Sequence, residues 1–235
     1  MSDPASNQML FQSLNQAASR LPETLWSGLT ILGDTLVAFV LLLALLRRHP
    51  QVVLAVLLAS LPATLISHAL KEALDMARPF AVLGEQINVI GPYLKSNSFP
   101  SGHTTTAFVL AAVLSLSLRS PFTRFWVLLL ALLVGFSRIA VGAHWPLDIF
   151  GGMVCGWVSG LLGWYWAERT GWWRKPGVVL FMHMLLIGCA LSLWFNEDRY
   201  YPLARPFEQA IALLVLVMYA LPEWRKDKFS SQQPG

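Results

Sequence analysis

The sequence predicts an all-α, polytopic membrane helical bundle of six to seven transmembrane spans, on three observations. The 235-residue chain is 55% hydrophobic and only 13% charged, whereas soluble domains carry about 25% charged residues. Its mean hydropathy is +0.54, which a soluble chain of this length has too little core to bury. The apolar residues also fall into blocks of roughly 15–22, the length that crosses a hydrocarbon layer of about 30 Å.

The elements follow in order. The start, MSDPASNQMLFQSLNQAASRLPETLW, has no basic stretch or continuous apolar run, and Asp3 and Pro4 stand where a signal peptide is positive. Met9, Leu10, Leu14, Ala17 and Leu21 recur at helical intervals, so residues 1–28 are expected to form an interfacial helix. Spans are expected near Leu29–Leu46, Val52–Leu70, Thr104–Leu118, Phe125–Val141, Leu147–Trp166, Val178–Phe195 and Ile211–Leu221. The third and last are short, and the last is either a full span or a partial one. In the fifth span Gly152, Gly156 and Gly160 let a neighbouring helix approach closely. Trp164, Trp166, Trp172 and Trp173 at its far end form an aromatic belt.

The loops RRHP, RSPFTR, ERTGWWRKPG and EWRKDKF all lie on one side of this arrangement. The positive-inside rule makes that side cytoplasmic. The amino-terminal segment, the loop Pro79–Pro100, the turn at His144 and the loop Asn196–Pro206 then face outward, toward the periplasm in a bacterium. Cys155 and Cys189 lie in apolar runs and read as packing residues, neither a disulfide nor a metal pair. The net charge of +4 is accounted for by the basic loops, and nothing in the chain resembles a nucleic-acid module.

The outward face collects most of the unusual polar residues. KEALDMARP supplies Lys71 and Arg78, PSGH supplies Ser101, Gly102 and His103, and SRIAVGAHWPLD supplies Ser137, Arg138, His144 and Asp148. Three cations beside the amino terminus of a helix make an anion site suited to phosphate. Arg78 and Arg138 offer forked donors and Lys71 a point charge, while Gly102 has no Cβ to obstruct the backbone. His144 and Asp148, four residues apart, fall on one helical face, so the carboxylate can fix the imidazole and leave its other nitrogen free to attack. His103 can protonate a departing alkoxide. Phosphoryl transfer is largely positioning and charge stabilisation, and this set lacks the acidic cluster that magnesium prefers. Neither a metal nor another cofactor is expected.

Plainer readings stand beside these. Ser101 is also a helix cap, Lys71 can snorkel to the interface, and His183 reads as a packed residue. Asp34, early in the first span, either supports one of the cations or faces interfacial water. His68 shares a face with Lys71 and either packs or lines the same cavity.

Taken together, KEALDMARP, PSGH and SRIAVGAHWPLD resemble the three-part signature of the type 2 phosphatidic acid phosphatase (PAP2) family, K-x6-R-P, P-S-G-H and S-R-x5-H-x3-D, matched at every fixed position. The resemblance implies the helical core shared with haloperoxidases and a metal-independent lipid phosphatase acting through a phosphohistidine. In it His144 resembles the nucleophile, Asp148 its orienting partner and His103 the general acid. Lys71, Arg78, Ser101, Gly102 and Arg138 match the phosphate-binding positions, and Ser137 and Asp34 are given supporting roles. Residues 29–166 are then the catalytic membrane core, 167–222 two additional spans and 223–235 a cytoplasmic tail. The segment NEDRYYPLARP between the added spans either shapes a lipid access route or merely joins two helices.

The expected substrate is a lipid phosphate or diphosphate on the periplasmic side of a bacterial inner membrane. Undecaprenyl diphosphate comes first, then phosphatidylglycerol phosphate and phosphatidic acid, with no obligate protein partner. The alternatives are a lipid phosphotransferase using the same intermediate and a non-enzymatic phospholipid transporter or binder.

Overall fold

The computed structural model of the protein describes residues 4–195 and 200–221, and within them the chain runs from helix to helix without a strand. In order these are α1 (Pro4–Ala18), α2 (Glu23–Ile31), α3 (Thr35–Leu46), α4 (Pro50–Leu74), α5 (Pro79–Leu83), α6 (Gly102–Ser117), α7 (Pro121–Ala140), α8 (Pro146–Thr170), α9 (Pro176–Phe195) and α10 (Arg205–Ala220). Among the described residues five helical stretches are long and apolar enough to cross a membrane, and α2 with α3 forms a sixth, broken one. The 16-residue α6 is shorter but equally apolar. The chain is a multi-pass membrane protein. The tail expected over residues 223–235 lies outside the described residues.

The first expected span is not a single helix. It breaks between Ile31 and Thr35 with a bend of 63°. Two local causes act there. Asp34 is the N-cap of α3, its Oδ1 accepting from the backbone N–H of Leu36 at 2.8 Å and of Val37 at 3.3 Å. Gly33 sits so close to the first turn of α6 that a Cβ would stand 2.9 Å from the His103 carbonyl.

The bundle is organised around α8, which packs along both α6 and α4. Its glycines make this possible, as the sequence pattern led us to expect. At Gly160 a Cβ would stand 2.6 Å from that of Ala112, and at Gly152 it would stand 2.7 Å from the Ser101 carbonyl. Farther along, Gly163 abuts the backbone of α4 at Ala55. Helices α9 and α10 pack on each other and on α3. Arg47 donates to the Tyr219 carbonyl at 2.9 Å and lies over that ring, tying α3 to α10.

The amino-terminal helix docks on the protein. Phe11 of α1 is fully buried against Trp145, ring centroids 5.1 Å apart. Asn15 threads between two segments, accepting from Asn88 N–H at 2.9 Å and donating to the carbonyls of Asn88 and Ile139 at 3.0 Å each. Helix α1 thus braces the end of α7 and the turn that follows it.

The helix contacts at the glycines are steric, so a branched side chain there should cost stability. Gly156→Val, which would drive into the Thr105 carbonyl, should destabilise the protein by about 1–3 kcal/mol. Gly177→Ala, where a Cβ would meet nothing within 4 Å, should be close to neutral. Thermal unfolding in detergent compares the two.

Candidate active site

Four helix ends and one loop build the site. The last turn of α4 carries Lys71, and Arg78 follows directly before α5. The start of α6 carries Gly102 and His103, the end of α7 carries Ser137 and Arg138, and the turn into α8 carries His144 and Asp148. The loop before α6 wraps over them.

His144 is buried and held at both ring nitrogens. Its Nδ1 lies 3.3 Å from Asp148 Oδ2, and its Nε2 lies 3.3 Å from Arg78 Nη1. A guanidinium has only donors and an ionised carboxylate only acceptors. The partners therefore assign the proton to Nδ1 and leave the Nε2 lone pair facing the cations. Burial, then the charges of Arg78, Arg138 and Lys71, hold this imidazole well below the ordinary histidine range.

Asp148 is fully buried. Besides His144, its Oδ2 accepts from the Ser98 hydroxyl and from Trp145 N–H at 2.9 Å. Its backbone carbonyl accepts from Ser101 N–H at 3.0 Å.

The cations are oriented by neutral oxygens. Lys71 Nζ donates to the Asn97 carbonyl at 2.8 Å, and Arg78 donates to the carbonyls of Ser96 at 2.8 Å, of Asn97 at 3.2 Å and of Ala143 at 3.2 Å. Asn97 adopts a left-handed backbone with φ 55° to present that carbonyl. Arg138 is 3% exposed and its Nη1 donates to two hydroxyls, those of Thr30 and of Tyr201, the latter at 2.7 Å. Its Nε has no partner. None of these partners is a carboxylate, so the positive charge stays available to an anion.

Of the residues singled out from sequence, the fold brings Lys71, Arg78, Arg138, His144 and Asp148 together, with Gly102 and His103 lining the adjoining cavity beside Lys71. A Cβ added at Gly102 would meet nothing within 4 Å, so the backbone there is open to a ligand. Three others engage partners within the protein, Ser101 as the cap of α6 that its position suggested. Ser101 spends its hydroxyl capping α6 at Thr104 and its N–H on Asp148, so both of its polar groups are engaged within the protein. The Ser137 hydroxyl donates to the Val134 carbonyl of its own helix. Asp34 lines the cavity, but its Oδ1 caps α3.

Four contributors were not anticipated: Ser98, Asn97, Thr30 and Tyr201. Ser98 and Asn97 lie just before PSGH, where their polarity was the only signal. Tyr201 lies in NEDRYYPLARP, which the loop pattern had put on the same side. Residues 196–199 of that segment fall outside the described residues, and Tyr201 is buried. Among the described residues no three His, Cys, Asp or Glu side chains converge as a metal site.

Comparison with known proteins matches this geometry to a family. The PAP2 superfamily model matches residues 50–172. An undecaprenyl-diphosphatase of Sulfolobus acidocaldarius is 31% identical over 121 residues, 50% of this chain and 57% of its own. A lipid A 1-phosphatase of Porphyromonas gingivalis is 41% identical over 73 residues, 30% of this chain and 16% of its own. These alignments thus span 57% and 16% of the two relatives. The crystal structure of Aquifex aeolicus LpxE superposes with a TM-score of 0.63 at 34% identity, covering 69% of this chain and 97% of that one.

Thr30 and Tyr201 both lie outside the family match, yet both hold Arg138. Tyr201→Phe should weaken binding of inorganic phosphate or tungstate about tenfold, the scale of one lost hydrogen bond to a charged group. Isothermal titration of the detergent-solubilised protein measures it. Unchanged affinity would show that the Tyr201 hydroxyl does not orient the arginine.

Proposed function

The chain belongs to the PAP2 superfamily, and from that premise we propose that it is a membrane phosphatase hydrolysing a lipid phosphate or diphosphate. The observation that carries this reading is the arrangement at His144, with a carboxylate on Nδ1 and an unprotonated Nε2 facing three cations that have no carboxylate partners. The relatives' names give two substrates, undecaprenyl diphosphate and lipid A. Undecaprenyl diphosphate, phosphatidylglycerol phosphate and phosphatidic acid all present the phosphate this site would take.

In the proposed mechanism the phosphate displaces Arg78 from His144 Nε2 and is held by Lys71, Arg78, Arg138 and the open backbone at Gly102. Nε2 attacks phosphorus as the bond to the leaving oxygen breaks, and His103 gives that oxygen its proton. Asp148 stabilises the imidazole as its charge grows. A water then attacks the phosphohistidine, losing its proton to His103, and inorganic phosphate leaves. The cations are positioned in advance, so charge developing on the equatorial oxygens meets donors that need little reorganisation. The basic loops support an active site on the periplasmic face of a bacterial inner membrane.

His144→Ala should lower phosphate release from lipid substrates by at least about 10³-fold while the protein still folds. Normal turnover in that variant would exclude His144 as nucleophile. The pH profile gives an independent check. A lowered imidazole pKa keeps Nε2 unprotonated as pH falls, so kcat/KM should show no fall on the acid side at 6.5, the ordinary histidine value. An acid limb at or above that value would contradict the arrangement.

A further inference from the structure

The turn from Arg138 to Asp148 joins two helix ends, and every helix end leaves backbone groups without a partner inside its own helix. At the end of α7 these are carbonyls, and at the start of α8 they are N–H groups. Val141 and Trp145 stand at the two cap positions. Neither side chain can serve its helix end, because valine has no polar atom and an indole has no acceptor.

Helix α1 serves both ends instead. The Asn15 amide nitrogen donates to the carbonyls of Ile139 at 3.0 Å and Ala140 at 3.2 Å, the last residues of α7. Eight residues earlier, Asn7 Oδ1 accepts from Leu147 N–H at 3.2 Å. Leu147 is the second residue of α8, and its N–H is one that an N-cap side chain ordinarily takes. Phe11 lies midway and packs against Trp145. Asn7, Phe11 and Asn15 share one face of α1 and span about 12 Å along it, so α1 lies against the turn as a splint.

Asn15 also fixes the far side of the turn. Its amide pairs with both backbone groups of Asn88. The turn packs on that same residue, since a Cβ at Gly142 would stand 2.5 Å from the Asn88 carbonyl. Ile90 N–H donates to the Val141 carbonyl at 3.2 Å. Within the turn the N–H groups of Ala143 and His144 both donate to the Arg138 carbonyl, at 3.0 and 3.2 Å. A shift at the end of α7 is therefore passed directly to His144. Asn15 is only 2% exposed, so removing its amide leaves buried backbone groups without partners.

We propose that α1 positions the nucleophile: Asn7, Phe11 and Asn15 hold the two helix ends that flank His144 and so keep its Nε2 aligned with phosphorus. The inference rests on the phosphatase reading and adds positioning residues to it from outside the family match, which begins at residue 50. The Arg138 guanidinium is held separately, by Thr30 and Tyr201. Loosening the turn should thus slow the chemical step and leave substrate binding nearly unchanged. A reacting atom misplaced by about 1 Å can cost about 10²-fold in rate.

The test is steady-state phosphate release by the full-length protein in detergent from phosphatidic acid, lipid A and undecaprenyl diphosphate, alongside thermal unfolding. Asn15→Ala should lower kcat about 10–100-fold while KM changes by less than about twofold. Asn7→Ala should lower kcat about fivefold, the scale of a lost helix cap. Asn7→Asp keeps the acceptor and suits a helix amino terminus, so it should restore kcat. Asn7 is only partly buried, and its two variants decide the matter if Asn15→Ala fails to fold. Ser120→Ala removes the cap at the opposite end of α7 and should lower the unfolding temperature with kcat unchanged. Normal kcat in the two alanine variants of α1, a change in KM alone, no recovery in Asn7→Asp, or an equal loss of kcat in Ser120→Ala would each overturn the inference and leave the phosphatase reading standing. No release by the wild-type protein from any of the three substrates would overturn both.

Discussion

The site depends on one buried carboxylate. Asp148 joins the loop before α6 through Ser98, the turn before α8 through Trp145 and His144, and the cap of α6 through its own carbonyl to Ser101. A buried charge without partners is very unfavourable, so these contacts form together or the local structure fails. The same residue therefore assembles the fold at this point and fixes the tautomer of the histidine beside it. That coupling explains why Pro146 opens α8 at N1. A rigid first turn sets Asp148 at the depth where these segments meet.

The cations follow a complementary rule. Carboxylate partners would orient Lys71, Arg78 and Arg138 equally well but would cancel the charge an anion needs. Carbonyls and hydroxyls hold the side chains without neutralising them, which is the preorganisation a phosphate site requires. Asn97 contributes most economically, its single carbonyl serving both Lys71 and Arg78.

Much of this was legible in the sequence, and the boundary of legibility has a physical form. Apolar block length reports spans because the hydrocarbon thickness imposes it. The His144–Asp148 pair was legible because helical spacing is local. The break at Asp34 was harder, since a capping carboxylate inside an apolar run looks like an isolated charge until the chain geometry shows which N–H groups it accepts. The hydroxyls on Arg138 were out of reach. Thr30 and Tyr201 lie 108 and 63 residues from it along the chain, and no periodicity spans a contact set by how helices pack. Tyr201 was instead foreshadowed by sidedness, which put its loop on the correct face without naming the residue. Ser101 was legible as a cap, but its use of N–H on Asp148 was not, because that bond belongs to the pairing of α6 with α8.

The bend in the first span links the anion site to the cavity beside it. In one straight helix Thr30 and Asp34 would share a face, being four residues apart. They would then address the same neighbour. The 63° break between α2 and α3 separates them. Thr30, before it, reaches Arg138, while Asp34 and Thr35, after it, border the polar cavity beside Lys71 and His103. Gly33 allows this by letting the break press against the first turn of α6, where a side chain would strike the His103 backbone. The packing of α9 and α10 on α3 supports the second half of the broken span, and the loop between them delivers Tyr201 to the same arginine as Thr30. Elements outside the family-matched region therefore do two jobs at once: they hold Arg138 and line the cavity beside Lys71 and His103.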